Sequence, residues 1–155
     1  MTQKQIALLA AFGSAALLLG AFMSQALGWA PCKMCLWQRW PHAAAVAVGG
    51  AVLLFGANRL LLALGSLSAF ATAAIGVYHS GVELKLWQGP TSCTSSGAGL
   101  GGLSGSSLLP GGSEAPALVL CDTLTPFFLG LTMANYNAIF SVGLGLLWAR
   151  AATRD

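Results

Sequence analysis

Four cysteines carry most of the chemistry that this 155-residue sequence offers. Cys32 and Cys35 are separated by two residues in the stretch PCKMCLWQRWPH, and Cys93 and Cys121 lie much further along the chain. The C-x-x-C spacing is typical of dithiol redox sites, because neighbouring sulfurs can close a small ring and reopen it easily. It is also the spacing of a zinc knuckle. The residue types therefore indicate either redox or metal chemistry.

Two other kinds of site compete with a pair of redox dithiols. Structural zinc sites usually combine two short-spaced knuckles, whereas a long glycine-rich stretch separates Cys93 from Cys121 and serves a preformed tetrahedral site poorly. A structural disulfide between Cys93 and Cys121 is more plausible, but it leaves Cys32 and Cys35 unexplained. We favour two redox pairs, and a membrane protein with structural disulfides or a metal site remains the alternative.

Arg39 is the charged residue nearest to the C-x-x-C pair on its carboxyl side. If a helix begins at Pro31, which suits a first turn, Cys32, Cys35 and Arg39 share one helix face. The helix N-terminus and the guanidinium would then both favour a thiolate at Cys35. Pro41 either kinks this helix or is the first residue of the following membrane span. Arg39 has a second interpretation as an interfacial anchor that extends toward water.

The elements that position these residues are membrane helices. Only 7% of the residues are charged and 56% are hydrophobic, whereas a soluble domain carries about 25% charged residues. A helix needs roughly 20 apolar residues to cross the hydrocarbon core. Four runs reach or approach that length without the alternation of barrel strands: 6–27, 40–57, 60–78 and 127–149. The sequence predicts an all-α membrane protein, a bundle of four transmembrane helices in a single domain covering 1–155.

Four spans place both termini on one side of the membrane. The basic residues weakly favour the cytoplasm for the termini, so both cysteine groups are expected outside it. The long outer loop, about 80–125, joins the third and fourth helices, and its segment 97–112 is glycine-rich and predicted to be a flexible linker. Asn135 and Asn137 lie inside the fourth run, where interhelical hydrogen bonds are the expected role. Residues 1–26 also permit a signal peptide, but the run is long for one.

A dithiol at the membrane boundary suggests an electron acceptor dissolved in the lipid. A disulfide that oxidises other proteins has to be formed again in each cycle, so its electrons must leave through an acceptor. Cys32 and Cys35 follow the first apolar run directly, and a quinone is the obvious acceptor at that depth. Arg39 would stabilise negative charge that develops on the quinone ring.

The motifs around the cysteines resemble the DsbB family, the quinone-dependent disulfide-generating membrane proteins of bacteria. The resemblance is carried by CKMCLWQR after the first span, GVYHSGVELKLWQGPTSC leaving the third, and CDTLTPFFLGLTMANYNAIFS entering the fourth. It covers nearly the whole chain. The order of the cysteine pairs supports it, because in the related vitamin K epoxide reductases the C-x-x-C comes last.

The resemblance implies a role for each cysteine. Cys93 corresponds to the cysteine attacked by a reduced thioredoxin-fold partner similar to DsbA. Cys121 is its resolving partner and exchanges with Cys32. Cys35 faces the quinone, either ubiquinone or menaquinone.

The same resemblance implies the surroundings of the quinone. Arg39 matches the arginine beside the ring, and His79 stands at the end of the third span where the family often has a histidine. A satisfied interfacial histidine is the other interpretation of His79. Gln38 stands where some relatives have an acidic residue. The implied location is the bacterial inner membrane, with the termini in the cytoplasm and the cysteines in the periplasm; nothing indicates a nucleic-acid partner.

Overall fold

The computed structural model describes residues 1–90, 93, 119–124 and 126–154. In these ranges the chain forms α1 (Gln3–Ala26), α2 (Lys33–Phe55), α3 (Arg59–Glu83) and α4 (Met133–Thr153). A two-stranded antiparallel hairpin, β1 (Pro126–Phe128) and β2 (Leu131–Thr132), precedes α4. The predicted linker 97–112 lies outside the described residues.

Polar side chains fix where the helices begin. Thr2 forms a capping box with Gln5 at the start of α1, and Asn58 accepts a hydrogen bond from the Leu61 backbone N–H at the start of α3. Thr132 caps α4 in the same way. The cap of α2 is Cys32, whose sulfur accepts a hydrogen bond from the Cys35 backbone N–H. The C-x-x-C pair therefore lies at the N-terminus of α2. The helix begins at Lys33, two residues after the start expected at Pro31.

The helices occupy the four apolar runs, but their ends differ from those of the predicted spans. α2 begins at Lys33 rather than at residue 40, and Pro41 lies inside it. α3 continues to Glu83 rather than ending at residue 78, because Glu83 and His79 are buried and bonded within the bundle. Residues 80–83, assigned to the outer loop from the sequence, thus belong to a helix.

α4 starts six residues later than its apolar run predicts. Leu129 and Gly130 have positive φ angles of 51° and 76°, which form the turn between β1 and β2. The Tyr136 hydroxyl donates a 2.8 Å hydrogen bond to the Phe128 carbonyl and ties the hairpin to α4. The apolar residues of this segment gave no signal that distinguishes a hairpin from the first turns of a helix.

The end of the bundle that holds both termini is packed as an apolar core. Buried Ile6, Val52, Leu62 and Trp148 come from all four helices. Gly65 is required for this packing, because a Cβ atom there would lie 2.5 Å from the Trp148 ring. The cysteines lie at the opposite end, at the N-termini of α2 and α4 and the C-terminus of α3.

Two of the described helices, α1 and α3, are long and apolar enough to cross a membrane, with mean hydropathies of 2.2 and 2.0. Large apolar side chains on the outside of the bundle, such as Phe12 and Leu54, are more than two-thirds exposed, as lipid contact requires. Polar residues in the first half of α2 and the first turns of α4 lower the hydropathy of those helices. That α2 and α4 also cross the membrane stays a prediction.

Candidate active site

The structure brings the four cysteines into one cluster. Cys32, Cys93 and Cys121 are buried together, and the half-buried Cys35 packs against them. A 2.6 Å hydrogen bond from the Cys121 backbone N–H to the Cys93 carbonyl joins the second pair. The cysteines could be found in the sequence, whereas the fold shows that the two pairs lie close together.

The C-x-x-C sulfurs are placed for redox chemistry rather than for a metal ion. Cys32 Sγ and Cys35 Sγ are 2.8 Å apart, and His79 completes a group whose ligand atoms all lie within 4.8 Å of one another. Two sulfurs bound to one tetrahedral zinc at about 2.3 Å each stand roughly 3.8 Å apart. The two sulfurs are closer together than two zinc ligands, which favours a disulfide, although with His79 they form a group that could hold a metal ion.

The sulfur of Cys121 lies among hydrogen-bond donors. The Cys32 thiol, the backbone N–H groups of Met34 and Lys33 at the start of α2, and Cys93 all lower the pKa of Cys121 against the opposing effect of burial, to about 6. The hydrogen bonds to Cys121 and Cys35, together with burial, raise the pKa of Cys32. In the reduced protein these hydrogen bonds favour the thiolate of Cys121 and the proton on Cys32, and the hydrogen bond from Cys32 also lowers the pKa of Cys35.

The pKa of Cys35 is lowered, as the sequence predicted, but the first cause is the hydrogen bond from the Cys32 thiol rather than the helix N-terminus or Arg39. The N-terminal N–H groups of α2 were expected to favour a thiolate at Cys35, whereas two of them, from Lys33 and Met34, point at Cys121. Cys121 reaches them because residues 119–124 lie against the start of α2. No local pattern in the sequence indicates this contact.

His79 lies between the cysteine cluster and the interior of the bundle. Its Nε2 is 3.5 Å from Cys32 Sγ and 3.9 Å from Glu83 Oε1, and its Nδ1 is 3.0 Å from Gln38 Nε2. The Thr132 hydroxyl donates a 2.5 Å hydrogen bond to Glu83 Oε2. His79 therefore contacts the sulfur that was assigned to exchange with Cys121, and it is bonded on both ring nitrogens.

A polar network continues from His79 into the bundle. Asn137 Nδ2 donates to Gln38 Oε1 at 2.7 Å and to Thr72 Oγ1 at 3.3 Å, and Asn137 Oδ1 accepts from His42 Nε2 at 2.8 Å. Asn137 thus makes the interhelical hydrogen bonds that the sequence predicted for it. Sequence reasoning missed His42, Gln38 and Glu83, although buried polar residues in an apolar helix are a recognisable signal of function.

Arg39 is held by α1. Its Nη1 donates to Gln25 Oε1 at 2.7 Å, its Nη2 donates to the Ala21 carbonyl at 3.3 Å, and its guanidinium lies 4.8 Å from the centre of the Phe22 ring. Within the part of the chain that the structure describes, the buried Arg39 Nε has no hydrogen-bond partner. Among these residues, one donor of the guanidinium is therefore left unpaired.

A cavity of about 770 Å³ adjoins Cys35 and Arg39. Its walls are mostly apolar and come from all four helices and the segment around Cys121, and they include Leu17, Gly20 and Phe140. Such a site suits an apolar ligand with a hydrogen-bond acceptor at one end, since Arg39 and Cys35 both line it.

Comparison with known proteins agrees with this chemistry. Searches of curated proteins and of solved structures gave no significant match. The family described as Disulfide bond formation protein DsbB matches residues 3–151. Paired cysteines at one end of an apolar helical bundle are what a thiol oxidoreductase of the membrane requires, and the chain belongs to the DsbB family of disulfide-forming membrane oxidoreductases.

Proposed function

We propose that this protein re-oxidises a DsbA-like thioredoxin-fold protein and passes the electrons through its two cysteine pairs to a membrane quinone. The observation that carries the proposal is the single cluster in which Cys32 contacts both Cys35 and Cys121, while Cys35 lines the apolar cavity. A continuous path of sulfurs from the outer end to a lipid-facing site is what such a transfer needs.

The first exchange is with the partner. A thiolate of the reduced partner attacks Cys93 in the Cys93–Cys121 disulfide, and Cys121 leaves as a thiolate. The second partner thiol then displaces Cys93, so that the partner gains a disulfide and this protein holds two thiols. Cys121 is a suitable leaving group because the backbone N–H groups of Met34 and Lys33 lie beside its sulfur and favour the thiolate.

The second exchange is internal. The Cys121 thiolate attacks Cys32 in the Cys32–Cys35 disulfide, and Cys35 leaves as a thiolate. Cys93 then attacks Cys121, which re-forms the Cys93–Cys121 disulfide and releases Cys32. Two electrons have moved from the outer pair to the pair at the membrane, and no other oxidant is consumed.

The cavity next to Cys35 fits a quinone ring. A bound quinone supplies the two-electron acceptor that returns Cys32 and Cys35 to a disulfide. Arg39 would donate a hydrogen bond from Nε to a ring oxygen and stabilise negative charge there. Gln25 and Phe22 hold the guanidinium in place for this task. His79 also lines the cavity, but its ring nitrogens are committed to Cys32 and Gln38.

The decisive test is quinone reduction by the purified protein in lipid bilayers with a reduced thioredoxin-fold donor. Wild type should oxidise the donor and reduce the quinone in equal amounts. Cys35→Ser should stop quinone reduction while thermal unfolding shows an intact fold. Donor oxidation without any quinone reduction, or full turnover by Cys35→Ser, would reject this function.

A further inference from the structure

The direction of the hydrogen bonds between α2, α3 and α4 is fixed by one group that only accepts. The Thr72 hydroxyl lies 3.2 Å from the Gln38 backbone carbonyl, and a carbonyl oxygen has no proton to give. Thr72 must therefore donate its one hydroxyl proton to Gln38. Its contact with Asn137 then requires Asn137 to be the donor, which places the Asn137 amide nitrogen, and not its oxygen, at Thr72.

The orientation of Asn137 determines the next two side chains. Its nitrogen also lies 2.7 Å from the Gln38 side chain, so the Gln38 atom facing it is the oxygen. The amide nitrogen of Gln38 then faces His79 Nδ1 at 3.0 Å. An amide nitrogen only donates, so Nδ1 has to accept and carries no proton. The neutral His79 ring therefore holds its proton on Nε2.

The surroundings of Nε2 agree with this assignment. Nε2 lies 3.5 Å from Cys32 Sγ and 3.9 Å from Glu83 Oε1, which both accept, and the His79 ring also has a hydrogen bond with the Cys121 backbone. At the far end of the network, His42 Nε2 must donate to the Asn137 oxygen at 2.8 Å. All the bonds from His42 through Asn137 and Gln38 to His79 thus run in one direction and end at the sulfur of Cys32.

We propose that Asn137 and Gln38 are positioning residues that lock His79 in the tautomer protonated at Nε2, so that His79 stabilises the thiolate of Cys32 when that sulfur is the leaving group. The catalytic part of the proposal rests on the proposed function. In that step Cys93 attacks Cys121, the Cys32–Cys121 bond breaks, and its electron pair remains on Cys32. The Nε2–H group of His79 can donate a hydrogen bond to this thiolate without any movement of the ring.

The other groups around the Cys32 sulfur explain why His79 is needed to stabilise its thiolate. Cys32 is buried and its pKa is raised, partly because it donates to the Cys121 thiolate. Once Cys121 is bound in a disulfide, that thiolate is gone and Cys32 needs donors of its own. The Cys35 backbone N–H supplies one at 3.2 Å, and His79 Nε2 supplies the other. Glu83 is held by Thr132 and offers an acceptor rather than a donor in its ionised form.

Nitrogen NMR of the histidines tests the tautomer directly. The chain has two histidines, His42 and His79, so full-length protein labelled with [15N]histidine in lipid gives two ring signal sets, and His42→Gln assigns them. We expect His79 of the reduced wild type to be neutral and protonated at Nε2. A wild-type spectrum with the proton on Nδ1, or on both nitrogens, at neutral pH would overturn the proposal without recourse to any variant.

Asn137→Ala tests the lock, and Asn135→Ala is its control. Both asparagines are half-buried in the first turns of α4, but the hydrogen-bond chain to His79 runs through Asn137. Without Asn137 the Gln38 amide can turn over, so a signal from the Nδ1-protonated tautomer of His79 should appear in Asn137→Ala and not in Asn135→Ala. Unchanged His79 signals in Asn137→Ala would reject the lock.

The reactivity of Cys32 provides a second measurement that needs neither quinone nor partner. In a variant with Cys32 as its only cysteine (the others changed to serine), alkylation at fixed pH reports the thiolate. His79→Asn removes one hydrogen bond to the sulfur, so the rate of Cys32 alkylation should fall about three- to tenfold. The rate should fall less in Asn137→Ala. Equal rates in all of these variants would contradict the role of His79, whereas absent quinone reduction in wild type would reject the proposed function alone.

Discussion

At the scale of single residues, the charge of the reduced cysteine cluster is expected to be concentrated on Cys121. Its pKa of about 6 predicts a thiolate that forms as the pH rises through 6 and is lost below it. Ultraviolet titration of the reduced wild type, with that of Cys121→Ser subtracted, should show this midpoint. Cys32→Ala removes the strongest donor and should move the midpoint up, toward the ordinary thiol value. A midpoint above 8 in wild type would contradict the assignment.

Arg39 is expected to act on the quinone step. Arg39→Ala should lower kcat/KM for quinone by about 100-fold, in the range seen when one preorganised donor to a developing negative charge is lost. The KM for the reduced protein donor should stay unchanged, because we propose that the donor reacts at Cys93. Arg150→Ala at the opposite end of α4 is the control. If Arg39→Ala leaves both kinetic constants for quinone at wild-type values, the arginine is only an interfacial anchor.

Residue types in the site could be predicted from the sequence, but their pairing could not. Spacing alone marks Cys32 and Cys35 as a candidate redox or metal pair, and Arg39 as a neighbour in the helix. The contacts of Gln38 with His79 and Asn137 depend on how α2, α3 and α4 are rotated against one another. Apolar helices rich in small residues carry little information about that rotation, since several faces can pack equally well.

At the scale of helices, the close contact of α3 with α4 depends on Gly65. A methyl group there would overlap the Trp148 ring, which is fully buried and has no room to move. Gly65→Ala should therefore destabilise the protein by about 1–3 kcal/mol, which is typical of overpacking. Thermal unfolding in detergent measures the effect.

Gly143→Ala is the matched control, because a Cβ at this position in α4 meets nothing within 4 Å. Alanine favours helix over glycine by about 1 kcal/mol, so Gly143→Ala should be neutral or stabilising. Equal melting temperatures for the two variants would show that Gly65 is not needed for close packing.

The sequence predicted the existence of the helices better than their ends. The apolar runs identified all of α1 to α4, because long unbroken hydrophobicity is a strong signal. The start of α2 was placed seven residues too late because Gln38, Arg39 and His42 interrupt its apolar pattern. These side chains point into the cysteine end of the bundle, so the residues that form the site also obscured the helix that carries it.

At the scale of the whole molecule, the termini and the cysteines occupy opposite ends. Gln3 donates to the Arg154 carbonyl, and Arg154 Nη1 donates to the Met1 carbonyl at 2.8 Å, so both termini meet at one end. Reporter fusions after Arg59 and after Arg150 should therefore be cytoplasmic, and a fusion near Gly105 should be periplasmic. A periplasmic reporter after Arg150 would contradict four spans and the proposed side of the cysteines.

The apolar cavity beside Cys35 has a consequence for how the proposed quinone reaches the protein. A quinone dissolves in the lipid, so it arrives by diffusion within the plane of the bilayer. The concentration that governs the rate is then the number of quinones per lipid, not the number per litre. Adding empty lipid to a fixed amount of protein and quinone should slow turnover, although the volume of the sample is unchanged. A cell would regulate such a protein through the composition of its membrane.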